Sequence, residues 1–489
     1  MAFAGLDIGT SACKIVVYDL DGKELFAAKR SYSESGSEGI RELDAKEVAS
    51  CVFELLRELA KAGAAPIESI AVASLGEALI FLDNGDKVLC PSFLTGDCRG
   101  ELETQDLIQK FGSNRLFEIT GLPPNALYSL PKLLWYKNNT DIVERASKIF
   151  FFEDYIVYLL TAKRMVSISS AARSMFFDIK KREWSRELLE ESGLRPDLFS
   201  VAVQSGTYIG DILPEVQKRL GFQNRIAVVS GGHDQFCAAI GSGLHEKNSA
   251  ETSMGTCEFM QFMPSAESTE FMLENNFAHI PYYSADTYLT SLEVTTCGAL
   301  KQWCRKLLFS GLLSEEALYH HLELRLRNLK TDVITLPQFG SSGNPDLSMN
   351  AKGTTTNLTI HTAPEEIYLS IIEGISFQLL LAYERWKNRG RKLDRIIAVG
   401  GGALSDSTLQ IRANIFELPV YRTESKEPGA LGAMILAAAG LGKYRTALEG
   451  MKKIVKYSKV FYPDVDSLEY YRHKFVQYQA LYEKMRDFS

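Results

Sequence analysis

The eight cysteines of this 489-residue chain, at 13, 51, 90, 98, 237, 257, 297 and 304, never fall as Cys-x-x-Cys. That spacing argues against a two-cysteine redox or zinc motif, and the residues read as reduced thiols in a cytoplasmic protein. An excess of positive charge is also missing. Lys plus Arg number 54 against 61 Asp plus Glu, and the net charge of -7 argues against a surface built mainly to hold nucleic acid. There is no low-complexity tract, and 46% hydrophobic with 24% charged residues leaves no room for a function based on disorder. The start, Met1-Ala2-Phe3-Ala4-Gly5-Leu6-Asp7, lacks the basic flank and long apolar stretch of a secretory signal, and it reads as a buried strand. No later run reads as apolar enough to span a bilayer, so no membrane partner is expected.

What is present is enough chain for two hydrophobic cores. The Gly-Ser-Gly at 241–243 closes one pattern before another opens, which predicts domains over residues 1–244 and 245–489. The first begins with a β-meander, Phe3 to Ile8, Lys14 to Asp19 and Glu24 to Tyr32, followed by a helix from about Asp44 to Ala62 and an apolar strand from Ile70 to Ser74. Ala227 to Ser230 reads as a buried strand running into the turn Gly231-Gly232-His233-Asp234 and a short helix from Gln235. Met254-Gly255-Thr256 then repeats the form of Ile8-Gly9-Thr10, a strand ending in Gly-Thr before a second apolar strand. Later come a helix from about Glu365 to Lys387, a strand from Arg395 to Val399, the turn Gly400-Gly401-Gly402, a helix from near Ser405, a strand ending at Val420, and an alanine-rich helix from Ala430.

A Gly-Thr turn between two strands can cradle phosphate, because glycine lets backbone N–H groups approach the anion while the hydroxyl adds a donor. Either turn alone is also an ordinary tight turn; the repetition gives the phosphate reading its weight. Asp7, just ahead of the first turn, offers a carboxylate for a nucleotide-bound Mg²⁺, with Thr10, Ser11 and Lys14 available to steady the phosphate.

Gly5-Leu6-Asp7-Ile8-Gly9-Thr10 with Lys14 resembles the first phosphate motif of the FGGY carbohydrate kinases. Pro131-Lys132-x-x-Trp135, Met254-Gly255-Thr256, Gly298-Ala299 before Trp303, Gly400-Gly401-Gly402-Ala403 with Ser405, Gln410 and Asn414, and Ala430-Leu431-Gly432-Ala433 resemble further motifs of that family in their order. The resemblance implies an α/β fold of two RNase H-like, actin-like ATPase domains with an interdomain cleft. It also implies ATP and Mg²⁺ as cofactors and a small sugar or polyol as acceptor. Gly255, Thr256, Gly298, Gly401, Gly402, Ala403, Ser405 and Asn414 would contact nucleotide; Asp7 and Asp234 would serve the metal. Asp234 is the implied catalytic base, against the alternative of a helix cap.

For the acceptor, the run from Ser74 to Arg99 resembles that of xylulose kinases, placing Glu77, Asp97 and Arg99 on the sugar. His233 is a further candidate, or a structural turn residue. Leu75-Gly76 and Thr95 depart from the pattern, so a glycerol-like polyol remains an alternative acceptor. An actin-like or Hsp70-like ATPase working on a protein partner is the rival from another class. A homodimer is left open.

Overall fold

Apolar residues on both faces of the first strand require covering layers on both sides, and the computed structural model supplies them. It describes residues 1–489 apart from 38, 64, 95, 265–266, 312, 341, 349–350 and 487–489; Thr95 thus lies outside the described residues. Strand β1 (Ala2–Ile8) pairs antiparallel with β2 (Ala12–Tyr18), which pairs antiparallel with β3 (Glu24–Ser31). On its other edge β1 is parallel to β4 (Ile67–Ser74), and beyond lie β5 (Tyr208–Asp211) and β6 (Ala227–His233), giving the order β5-β6-β4-β1-β2-β3. The expected turn at Gly231-Gly232 is instead the last part of β6, with a register shift against β4 before Gly232. A side chain at 231 would lie 2.0 Å from the Val72 carbonyl oxygen, so glycine here permits close strand approach.

The compact units are not contiguous in sequence. The first comprises Met1–Gly243, Ala278–Leu289 and Glu427–Val455; the second comprises Leu244–Phe277, Thr290–Lys426 and Lys456–Ser489. Glu427–Val455 joins the first because the helix Pro428–Gly440 lies flat on β1. Gly5 allows this, since a Cβ there would sit 1.8 Å from the Ala430 carbonyl oxygen. Gly5→Ala should therefore destabilise the first unit by about 1–3 kcal/mol through overpacking. Urea denaturation checks this, and an unchanged midpoint would show that the helix yields freely.

The second unit repeats the order with β7 (Ser249–Met254), β8 (Glu258–Phe262), β9 (Tyr288–Val294), β10 (Arg395–Val399), β11 (Val420–Thr423) and β12 (Tyr457–Phe461). They lie as β9-β8-β7-β10-β11-β12, with β7 antiparallel to β8 and parallel to β10. Val420 opens its strand rather than ending one. Pro364–Lys387 corrects the expectation that no run has membrane-spanning character. Its best window has a mean hydropathy of 1.3, but 89% of that window is buried and the helix is the core of its unit.

Candidate active site

β1 and β6 both run parallel to β4 and flank it, so side chains at their carboxyl ends share one edge of the first sheet. Asp7 stands there beside the first turn of the helix Pro428–Gly440, and a Cβ on Gly429 would lie 2.9 Å from its Oδ2. The Asp7 carboxylate accepts no hydrogen bond from the described residues. Burial pushes its pKa up to about 6, with Lys14 opposing and Glu427 adding to the rise. Thr10 and Ser11 are exposed at the hairpin tip, which Gly9 closes through its N–H to the Ala12 carbonyl. Lys14 reaches back from β2 to Glu427 at 2.6 Å.

Asp234 is the first residue of the helix Asp234–Gly241, and His233 stands at the cap position. Its Oδ1 accepts from the Gln235 N–H at 2.6 Å and lies 3.3 Å from His233 Nε2. Burial, then the charges of Asp7 and Glu77, push the Asp234 carboxyl up to about 8. Burial and the nearby Arg173 charge depress His233 to about 4, so its imidazole is neutral at pH 7. His233 Nδ1 is fully covered and unpartnered among the described residues, so this ring nitrogen does not face an incoming ligand.

Glu77 follows β4 in a left-handed conformation, φ 62, which a glutamate adopts only when its surroundings impose it. Its Oε1 receives Arg173 Nε at 2.6 Å and its carbonyl receives Ser129 Oγ at 2.8 Å. Burial alone would raise its pKa, but Arg173, with Lys132 behind it, outweighs burial and holds the carboxylate ionised. Asp97 is fully covered, and it is occupied from within. It accepts the N–H groups of Arg41 and Arg99 and a fork from the Arg99 guanidinium at 2.8 and 2.6 Å. Arg99 also pairs with Glu42 and lies 3.2 Å above the Phe93 ring. The structure thus shows Asp97 holding Arg99 rather than presenting an open acceptor. Lys132, buried, donates to the Leu94 carbonyl at 2.8 Å; burial lowers it to about 8 while Glu77 and Asp97 pull it upward.

In the second unit a cavity of about 810 Å³ gathers Gly255, Thr256, Gly298, Gly401, Gly402 and Ser405. The helix Gly298–Phe309 starts against the Gly255-Thr256 turn, where a Cβ on residue 298 would lie 2.5 Å from the Gly255 carbonyl oxygen. Ser405 caps the helix Asp406–Phe416 and donates to Glu323 at 2.8 Å. Ala403 and Asn414 do not line this space. The Ala403 carbonyl receives Arg422, and Asn414 Oδ1 receives Gln410 Nε2 and the Asp464 N–H beside a neighbouring cavity of about 720 Å³. Trp303 is 49% exposed and packs on Phe339, a wall residue at most.

The N-terminal domain of the FGGY family of carbohydrate kinases matches residues 2–241, and its C-terminal domain matches residues 250–441. The chain belongs to this family. As an FGGY kinase it is a sugar phosphotransferase that takes ATP as donor and a small sugar as acceptor. The xylulose kinase of Bacillus subtilis (strain 168) is 25% identical over 490 residues, 99% of this chain and 97% of that protein. The crystal structure of gluconate kinase from Lactobacillus acidophilus matches with TM-score 0.89 and 26% identity, covering 100% of this chain and 99% of the other. Ligand bound xylulose kinase from Lactobacillus acidophilus matches with TM-score 0.89 and 25% identity, each chain covered in full at 100%. The fold is accordingly that of two actin-like α/β domains. None of these three relatives is an ATPase acting on a protein partner or a polyol kinase.

Three charged residues escaped the sequence reading: Arg173 and Glu427 in the first unit and Lys301 in the second. None sits in a glycine-rich turn, and Arg173 and Glu427 find their partners 96 and 413 residues away, so no local pattern announces them.

Proposed function

We propose that this chain is a cytoplasmic xylulose kinase, or acts on a closely related ketose, transferring the γ-phosphoryl group of ATP to a terminal hydroxyl. The first unit would hold sugar and metal, through residues within 1–244, and the second would hold nucleotide, through residues within 245–489. The observation that carries the reading is the pair of buried carboxyl groups without a cation, Asp7 and Asp234, set at the ends of the two strands that flank β4, together with the Glu77–Arg173 pair. Full-length similarity to xylulose kinases supports the choice of acceptor.

Mg²⁺ fits this donor set, because both carboxyls are pushed upward and Asp7 has no hydrogen-bond donor among the described residues. No three carboxylate, imidazole or thiol groups among the described residues converge on a metal-sized space, so Asp7 and Asp234 would hold the ion with water and phosphate completing its shell. Bound there, Mg²⁺ supplies charge neutralisation to the transferring phosphoryl group. With a cation bound beside it the Asp234 carboxyl would be ionised, and it would then take the proton of the attacking hydroxyl. Neutral His233 orients it through Nε2, Glu77 with Arg173 grips acceptor hydroxyls, and Asp97 keeps Arg99 in place for the same pocket. In the second unit Gly255, Thr256, Gly298, Gly401, Gly402 and Ser405 receive the nucleotide.

Coupled ADP-release assays on xylulose, gluconate and glycerol test the acceptor, with xylulose expected to show the highest kcat/KM; a higher value for either competitor overturns the choice. In the same assay Glu77→Gln should raise the acceptor KM roughly ten- to hundred-fold, the worth of a charged hydrogen bond, with little change in the KM for ATP.

A further inference from the structure

Lys301 sits in the first turn of the helix Gly298–Phe309 and lines the 810 Å³ cavity of the second unit. Its side chain runs through the protein, leaving the residue 9% exposed. Its Nζ lies 3.5 Å from where a Cβ on Gly402 would stand, which places the ammonium beside the glycine turn on the cavity wall. Yet among the described residues it has no hydrogen-bond acceptor and no carboxylate within ion-pair distance. Glu258, whose charge acts on it, is already occupied: Arg412 and Thr252 bond its Oε1, and Cys297 Sγ lies 3.2 Å from its Oε2; Glu323 on the cavity wall accepts from Ser405 and the Ser407 N–H.

An ammonium on a largely buried stem that faces a cavity and has no protein acceptor gives up its proton, keeps to water or meets an anion, and the anion satisfies its charge best. Here the first route is closed. Burial favours proton loss, but the Glu258 carboxylate opposes it, and the balance holds Lys301 charged. The last route leads into the cavity, where the exposed Gly255-Thr256 turn adds a hydroxyl with no hydrogen-bond partner among the described residues. We infer that Lys301 is a phosphate ligand, donating a charge-assisted hydrogen bond from Nζ to a polyphosphate oxygen of the bound nucleotide beside Thr256. This rests on the reading of the cavity as the nucleotide site. A neutral residue at 301 would leave the cavity its shape and remove its one unpaired buried cation among the described residues.

Calorimetric binding of ADP and of adenosine to the full chain separates the cases, because only ADP carries phosphate. Lys301→Met should weaken ADP about ten- to hundred-fold and leave adenosine unchanged, with Lys301→Arg retaining most of the ADP affinity. Raising salt should weaken ADP binding to the wild type more than to the Met variant. Unchanged ADP affinity in Lys301→Met, or parallel losses for ADP and adenosine, would overturn the assignment. Should the Met variant melt early, Lys301→Gln answers the same question by the same ratio. A wild type that binds neither ligand would remove the nucleotide reading itself, and the Lys301 assignment with it.

Discussion

Asp234→Asn should lower turnover by about 10²–10⁴-fold, the usual contribution of a positioned general base, while folding and ATP binding persist. A sugar hydroxyl does not ionise unaided at neutral pH, so transfer needs a group that takes its proton late in the reaction. Asp234 is placed for this at the end of β6, yet it also accepts the Gln235 N–H in the first turn of its helix. That structural bond is one asparagine can reproduce, whereas asparagine cannot accept the proton. Retention of more than about a tenth of wild-type turnover would return Asp234 to a purely structural role. Stability adds an independent signature. The folded pKa of about 8 stands above the ordinary 3.8, so between these values the native protein holds a proton that the unfolded chain has released. Wild-type stability therefore falls as pH rises through that window. The asparagine variant lacks this loss, and its melting temperature should gain on the wild type between about pH 4 and pH 8 in the absence of ligands. A constant difference across that range would mean the carboxyl is not strained by burial.

The parts of the site that were legible in the sequence are those built by local chain geometry. Asp7 and the two Gly-Thr hairpins could be read because strand, turn and returning strand are consecutive, and glycine marks the tight point. Gly231-Gly232 misled for the same reason: glycine also serves where strands crowd, and here Val72 rather than a turn demands it. Asp97-x-Arg99 was placed on the sugar by likeness, and only tertiary structure reveals that the Arg41 N–H and the Arg99 fork fill the Asp97 carboxylate. Asn414, assigned to adenosine by likeness, is drawn off by the Asp464 N–H across 50 residues. Lys132 shows the converse case. Its motif was recognised without a role, and its bond to the Leu94 carbonyl ties the helix Ser129–Asn139 to the loop that carries Asp97.

Arg412→Met should destabilise the second unit by about 3–5 kcal/mol, the cost of leaving a buried charge without its partner. Arg412 is 1% and Glu258 0% exposed; Nη1 meets Oε1 at 2.6 Å, and Nε donates to Ser376 Oγ at 2.9 Å. Burial would raise the Glu258 pKa, but Arg412 outweighs it and keeps the carboxylate charged. Without Arg412 that charge keeps only Thr252 and Cys297 as partners, neither of which neutralises it. Much of the expected loss is the penalty on Glu258 rather than the value of the pair, and this makes it separable. Adding Glu258→Gln to Arg412→Met removes the stranded charge, so the double variant should recover part of the loss in urea denaturation. The pair is also joined through the chain to the 810 Å³ cavity proposed to take the nucleotide. Glu258 begins β8 just after the Gly255-Thr256 turn, and Cys297 precedes Gly298 at the start of the adjoining helix. ADP affinity of the single variant should consequently fall along with its stability. A double variant no more stable than Arg412→Met would show that Arg412 acts through packing on Ser376 and its other neighbours, not through Glu258.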